Sequence, residues 1–106
     1  MPRFGKFGKC LLMASLVSGA GLAQADMDLM RKNNCSACHT MDKKKYGPHF
    51  KEIAAKYAND SGAAQKLALK IRAGGSGVWG ADVMPPQAKV TPQDALAMAN
   101  FILAVE

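Results

Sequence analysis

Cys35-Ser36-Ala37-Cys38-His39 places two thiols three positions apart and an imidazole directly after the second. That spacing suits one chemistry above others. The thiols can reach the two vinyl groups on one edge of a porphyrin and form thioethers, and the next residue then sets an imidazole under the iron as proximal ligand. The motif implies a single c-type haem, attached through Cys35 and Cys38 and ligated by His39. Two other uses of the thiols fit less well. A redox dithiol fold needs β-α-β patterning, which the chain lacks. A structural zinc site needs four ligands; His49 could only just complete one, and no further cysteine is at hand once the leader described below is removed.

A second axial ligand must come from elsewhere. Beyond residue 25 the methionines are Met27, Met30, Met41, Met84 and Met98. Met27 and Met30 precede the motif closely. Met41 follows His39 by two positions and cannot easily reach the opposite porphyrin face. Met98 falls inside a helical pattern and reads as core filler. Met84 lies in a glycine-rich loop directly before Pro85-Pro86, whose restricted backbone lowers the entropy cost of holding a thioether at a metal. The 45 positions between 39 and 84 leave room for two helices to wrap the haem edge. His49 is the rival, and bis-histidine ligation would lower the reduction potential. Its place at the start of a helix soon after His39 puts it on the proximal side and favours a surface role.

The elements that must position these groups are helical. No alternating strand pattern and no β-branched run occurs beyond the leader, so the fold class is all-α, with about four helices. A short first helix is expected over 26–33, with Asp26 and Asp28 near its positive end and Leu29 and Met30 as apolar candidates. A polar loop, 40–48, ends in Tyr46-Gly47-Pro48. A second helix is expected from Pro48 or His49 to Ala58, with Phe50, Ile53, Ala54 and Tyr57 in one stripe. A third runs over 63–73, with Leu67, Ile71 and Leu69 inward, and Gly74-Gly75-Ser76-Gly77 ends it. The loop 74–90 is long for so small a domain, which marks it as functional. The last helix opens on Thr91 as N-cap, Pro92 at the first position and Asp94 as capping acid, with Leu96, Met98, Ala99, Phe101, Ile102 and Leu103 on an apolar face.

Residues 1–25 read as a cleaved secretory signal peptide: Arg3, Lys6 and Lys9 precede an apolar stretch too short to span a membrane, and Ala23-Gln24-Ala25 is a small-x-small site. An uncleaved anchor is the alternative, disfavoured by the Gly and Ser content. Cys10 lacks the flanking residues of a lipid-modification site and leaves with the leader. Removing 25 of the 106 residues leaves 81, one domain spanning 26–106. So short a chain buries little apolar surface, and a large covalently held cofactor would supply the missing core. The leader carries 3 of the 14 basic residues and none of the 8 acidic ones, so the net charge falls from +6 to +3. That weakens any case for a nucleic-acid partner. Lys43-Lys44-Lys45 is the one dense cluster, either a solvated loop or a docking patch for an acidic redox partner.

The chain resembles the short bacterial class I cytochromes c. The resemblance is carried by the C-x-x-C-H motif, Tyr46-Gly47-Pro48, the run from Phe50 to Tyr57, Gly77-Val78-Trp79-Gly80, Met84-Pro85-Pro86 and the C-terminal helix, in family order. It implies the cytochrome c fold, a haem iron held by His39 and Met84, and three supporting roles. The Pro48 carbonyl would accept a hydrogen bond from the second ring nitrogen of His39, which orients the ring. Trp79 would donate its indole N–H to a haem propionate, and Arg72 would stand near a propionate as charge partner. Three positions depart from the family pattern. Met30 takes the place of an aromatic facing Phe101. Gln87 stands where Asn is frequent near the methionine sulfur. Asn34 replaces a frequent glycine.

The function this implies is that of a periplasmic electron carrier, a monomer and not an enzyme, passing single electrons between respiratory partners. Acceptors of the implied kind are a nitrite reductase, a terminal oxidase or a peroxidase, and the donor a cytochrome bc1-type complex or another redox protein. The competing reading is a five-coordinate haem protein that binds a gas or peroxide as sensor or enzyme.

Overall fold

The computed structural model describes the backbone of residues 20–106 and the side chains from Asp26 onward. Most of the leader, 1–19, lies outside the described residues, and its expected processing with it. Among the described residues four helices carry the fold: α1 Ala20–Lys32, α2 Phe50–Lys56, α3 Ala63–Ala73 and α4 Pro92–Leu103, with a 3-10 turn at Cys35–Ala37. Among the described residues no strand occurs, and the one bridge pairs Gly75 with Met84.

α4 is the hub. Its longest contact is with α3, and it also packs on α1 and α2. Ala95, Met98 and Ala99 are fully buried on its inner face. These residues recur at i, i+3 and i+4, so one stripe meets the other three helices. Small alanines flanking one flexible methionine let the helices approach closely, while the thioether fills the irregular gap. Thr91 caps the helix, its Oγ1 accepting from the Asp94 amide at 3.1 Å, and Pro92 stands in the first turn as expected. Met30 is 2% exposed and shares the core with Phe50, Ile53 and Ile71. Phe101 is half-buried, and its partner is the ring of Phe50, met edge-on at 6.5 Å and 82°. An aromatic from α2 thus supplies the ring contact that α1 lacks.

Several local expectations are corrected. Among the described residues α1 covers Ala20–Lys32, passing through the expected cleavage site, so in the full chain Asp26 and Asp28 lie within the helix. α2 ends at Lys56, with Tyr57 as its C-cap. Leu69 and Leu96 do not face inward: they are 68% and 39% exposed. The inward row of α3 is Ala63, Leu67, Lys70 and Ile71, and a residue two beyond Leu67 is rotated about 200° away from it.

Candidate functional site

The site is assembled by two loops facing each other across a core of helix side chains. The proximal side is built first. Asn34 adopts φ 59°, the only non-glycine positive φ among the described residues. Asn tolerates this left-handed conformation better than most residues, which explains why a glycine can also serve there. The chain then enters the 3-10 turn, where the amides of Cys38 and His39 both donate to the Cys35 carbonyl, at 3.1 and 2.9 Å. Both thiols are half-buried and unbridged. Burial pushes the Cys35 thiol up in pKa, with a hydrogen bond to its own backbone amide as the smaller, opposing influence.

His39 is held on three sides. Its Nδ1 lies 2.7 Å from the Pro48 carbonyl oxygen, the contact the resemblance predicts. A carbonyl can only accept, so Nδ1 carries the proton and Nε2 presents its lone pair. The Phe50 ring stacks on the imidazole, centroids 5.7 Å apart and 21° from parallel. Gly47 closes the third side: its amide donates to the Cys38 carbonyl at 2.8 Å, and a Cβ there would fall 2.5 Å from His39 Cε1. Only glycine lets the backbone pass so close to the ring.

The opposite side is the loop 74–90. Gly74 ends α3 at φ 66°, and a Cβ on it would collide with the backbone of Met84 through Pro86. The bridge then pins Met84: its amide donates to the Gly75 carbonyl and its carbonyl accepts from the Gly75 amide, each at 2.9 Å. Met84 is half-buried. Gln87 Nε2 turns back to the Pro85 carbonyl at 3.1 Å, and the Gln87 amide donates to the Arg72 carbonyl. These bonds fix the backbone on both sides of Met84.

Between the two loops lies a cavity of about 400 Å³, within the range of about 300–1,000 Å³ typical of cofactor sites. Cys35, Cys38, His39, Trp79 and Met84 all line it, and Ile53, Leu67, Ile71 and Ile102 make it apolar. Two thiols on one rim, an imidazole with a free Nε2, and a thioether from the facing loop are the donors a covalently attached haem c requires. The chemistry of the donor set and the two glycine cradles fit that group.

The remaining residues divide between the cavity, the core and the surface. Arg72 stands outside the lining, exposed, with its Nε donating to the Val90 carbonyl at 3.0 Å. Lys70 lines the cavity instead, together with Lys44 and Lys66, and its ammonium sits close to Gly75. Trp79 lines the rim at 40% exposure, with Lys56 Nζ 5.4 Å from its ring centroid, a cation–π arrangement. His49 is a cap: its Nδ1 accepts from the Glu52 amide at 3.1 Å, and Glu52 Oε1 accepts from the His49 amide. Met98 is core, fully buried. The three lysines diverge. Lys45 donates to the Ser36 carbonyl at 3.3 Å, Lys43 is tied through its backbone to Thr40, and of the three Lys44 alone lines the cavity.

Comparison with known proteins supplies the family and the fold. The family model described as Cytochrome c matches residues 27–106. The chain is 53% identical to cytochrome c-552 of Nitrosomonas europaea over 93 residues, covering 88% of this chain and 90% of that one. It is 42% identical to cytochrome c-552 of Hydrogenobacter thermophilus over 98 residues, covering 92% and 99%. The crystal structure of the wild-type Nitrosomonas europaea protein superposes with a TM-score of 0.74 at 51% identity, over 76% of this chain and 99% of that one.

Proposed function

Because this chain belongs to the cytochrome c family, whose members carry one covalently bound haem c and serve electron transport, we propose that it is a periplasmic carrier of single electrons with His39 and Met84 as axial ligands. When bound, the haem iron supplies a ferric/ferrous couple. Everything else falls to the chain. Cys35 and Cys38 anchor the macrocycle. Pro48, through the Nδ1 proton, keeps His39 in one tautomer and raises the basicity of Nε2. The Gly75–Met84 bridge and the two prolines hold the thioether in place. The apolar lining excludes water and favours the less charged ferrous state. If His39 and Met84 both hold the iron, they would leave it no position open to a substrate, as suits a shuttle rather than a gas- or peroxide-binding enzyme.

Trp79 and Lys70 are the residues suited to the propionates, the first through its indole N–H and the second through its ammonium; Arg72 is directed elsewhere. Lys44, at the cavity rim, is the member of the lysine cluster best placed to steer an acidic partner such as a nitrite reductase, oxidase or peroxidase. Export through cleavage after Ala25 would deliver the chain to the compartment where such partners work, and no described helix is long and apolar enough to cross a membrane.

The observation that carries this reading is the placement of His39 and Met84 on two facing loops that line one cavity. Visible spectroscopy of the haem-loaded protein tests it. Colour that survives acid-acetone extraction, a low-spin spectrum and a weak far-red iron–thioether band are expected. Free haem in the extract, or a high-spin spectrum that shifts readily with carbon monoxide, would refute it.

A further inference from the structure

Tyr46 is half exposed, and its hydroxyl has a partner within the chain. Tyr46 Oη accepts a hydrogen bond from the backbone amide of Val83 at 3.3 Å, across 37 positions of sequence. The two partners are adjacent in sequence to the segments that make the site. Tyr46 directly precedes Gly47-Pro48, which hold the His39 ring, and Val83 directly precedes Met84. Both residues line the cavity.

The surrounding hydrogen bonds give this one contact its leverage. Tyr46 stands on firm backbone, because Gly47 is bound to Cys38 and Pro48 to His39. On the other loop, Met84 is bridged to Gly75, and Gly77 is bonded to Gly80. Among the described residues, the bond from the Val83 amide is the hydrogen bond that joins the stretch preceding Met84 to the opposite loop. Val83 is itself 55% exposed, so packing contributes little to holding it. Backbone held by few buried contacts opens locally at low free-energy cost.

Resting on the His39/Met84 reading, the geometry points to Tyr46 as a positioning residue: its hydroxyl latches the Met84 loop across the cavity mouth and so restrains displacement of the thioether. An outside ligand reaches the distal face only when that loop swings out. Removing one neutral hydrogen bond shifts such an opening equilibrium by about three- to tenfold.

The test is Tyr46→Phe in the haem-loaded protein, which keeps the ring and deletes the acceptor. The wild type must first show the far-red thioether band; its absence would sink the ligation reading rather than the latch. Given that band, the variant should retain it at rest and bind imidazole to the ferric form about three- to tenfold more tightly. In NMR-detected hydrogen exchange its Val83 and Met84 amides should exchange faster by a similar factor, while the Cys38 and His39 amides on the opposite loop stay protected. A purely structural role for the ring would move neither quantity. Imidazole affinity within twofold of wild type overturns the latch. So does a Val83 amide that already exchanges at a free-peptide rate in the wild type, a measurement that needs no variant.

Discussion

Phe50 lies flat against the imidazole of His39, 21° from parallel, while presenting its edge to Phe101 on α4. One ring therefore couples the orientation of the His39 imidazole to the hub helix of the core. The imidazole is positioned by packing, by a carbonyl and by a missing side chain together.

Gly47→Ala should disturb that arrangement more than a surface glycine change. Its Cβ would meet His39 Cε1 at 2.5 Å and Nδ1 at 2.8 Å, so the ring must move away from Pro48. A loss of about 1–3 kcal/mol is expected from overpacking. Denaturant unfolding of the haem-loaded variant measures it; an unchanged midpoint would mean that the ring has room to yield.

Met84→Ala and Met98→Ala separate ligand from filler. The first should abolish the far-red band of the ferric protein. The second should keep the band and lower stability by about 2–5 kcal/mol, since Met98 is fully buried. Loss of the band in the Met98 variant alone would reverse the assignment.

His49→Ala should leave the spectrum intact. His49 and Glu52 cap α2 reciprocally, and losing such a cap costs about 0.5–2 kcal/mol. A spectral change on this substitution would revive histidine as the second ligand.

The lysine cluster should prove unequal in electron transfer. Lys44→Gln is expected to weaken the salt dependence of the rate constant with an acidic partner more than Lys43→Gln does, because Lys44 lies at the cavity rim. Equal slopes for the two variants would assign steering to net charge alone.

Asp60 gives a pH signature at the start of α3. The hydrogen bond from Lys66, at 2.7 Å, leads the lowering of its pKa below 3.8, with the Gly62 amide second. A depressed carboxylate contributes stability that is present above its unfolded value and lost as pH falls through its folded one. Lys66 is raised above 10.5, chiefly by the same bond, so its contribution is present below 10.5 and fades as pH rises through the folded value. Lys66 is exposed and Asp60 partly so, and the effect is small and salt-sensitive. Asp60→Asn should flatten the acid limb of the stability curve below pH 3.8; a curve superimposable on wild type would show the pair to be inert.

Much of this was legible in the chain because the signals were periodic or stereochemically specific. Thr91-Pro92 begins α4 where its capping chemistry demands, and the 63–73 span of α3 matches its apolar spacing between glycines. The misplacements share one cause. Leu69 and Leu96 sit on the correct helices but at the wrong azimuth, since each step turns the side chain by about 100°. Leu67, Lys70 and Ile71, at i, i+3 and i+4, define the cavity face, and that relation points to Lys70 once Ile71 is fixed as inward. The His49–Glu52 box escaped notice because histidine is an uncommon cap, although Glu three positions later was the available cue. The Tyr46–Val83 contact joins two irregular loops, where no periodicity exists to read.

The paired bonds between Gly75 and Met84 confine the intervening chain to a closed excursion whose two feet stay put. The Gly77–Gly80 bond closes the crest of that excursion on itself. A substitution in the crest therefore changes the rim of the cavity, where Val78 and Trp79 stand, before it disturbs the backbone of Met84.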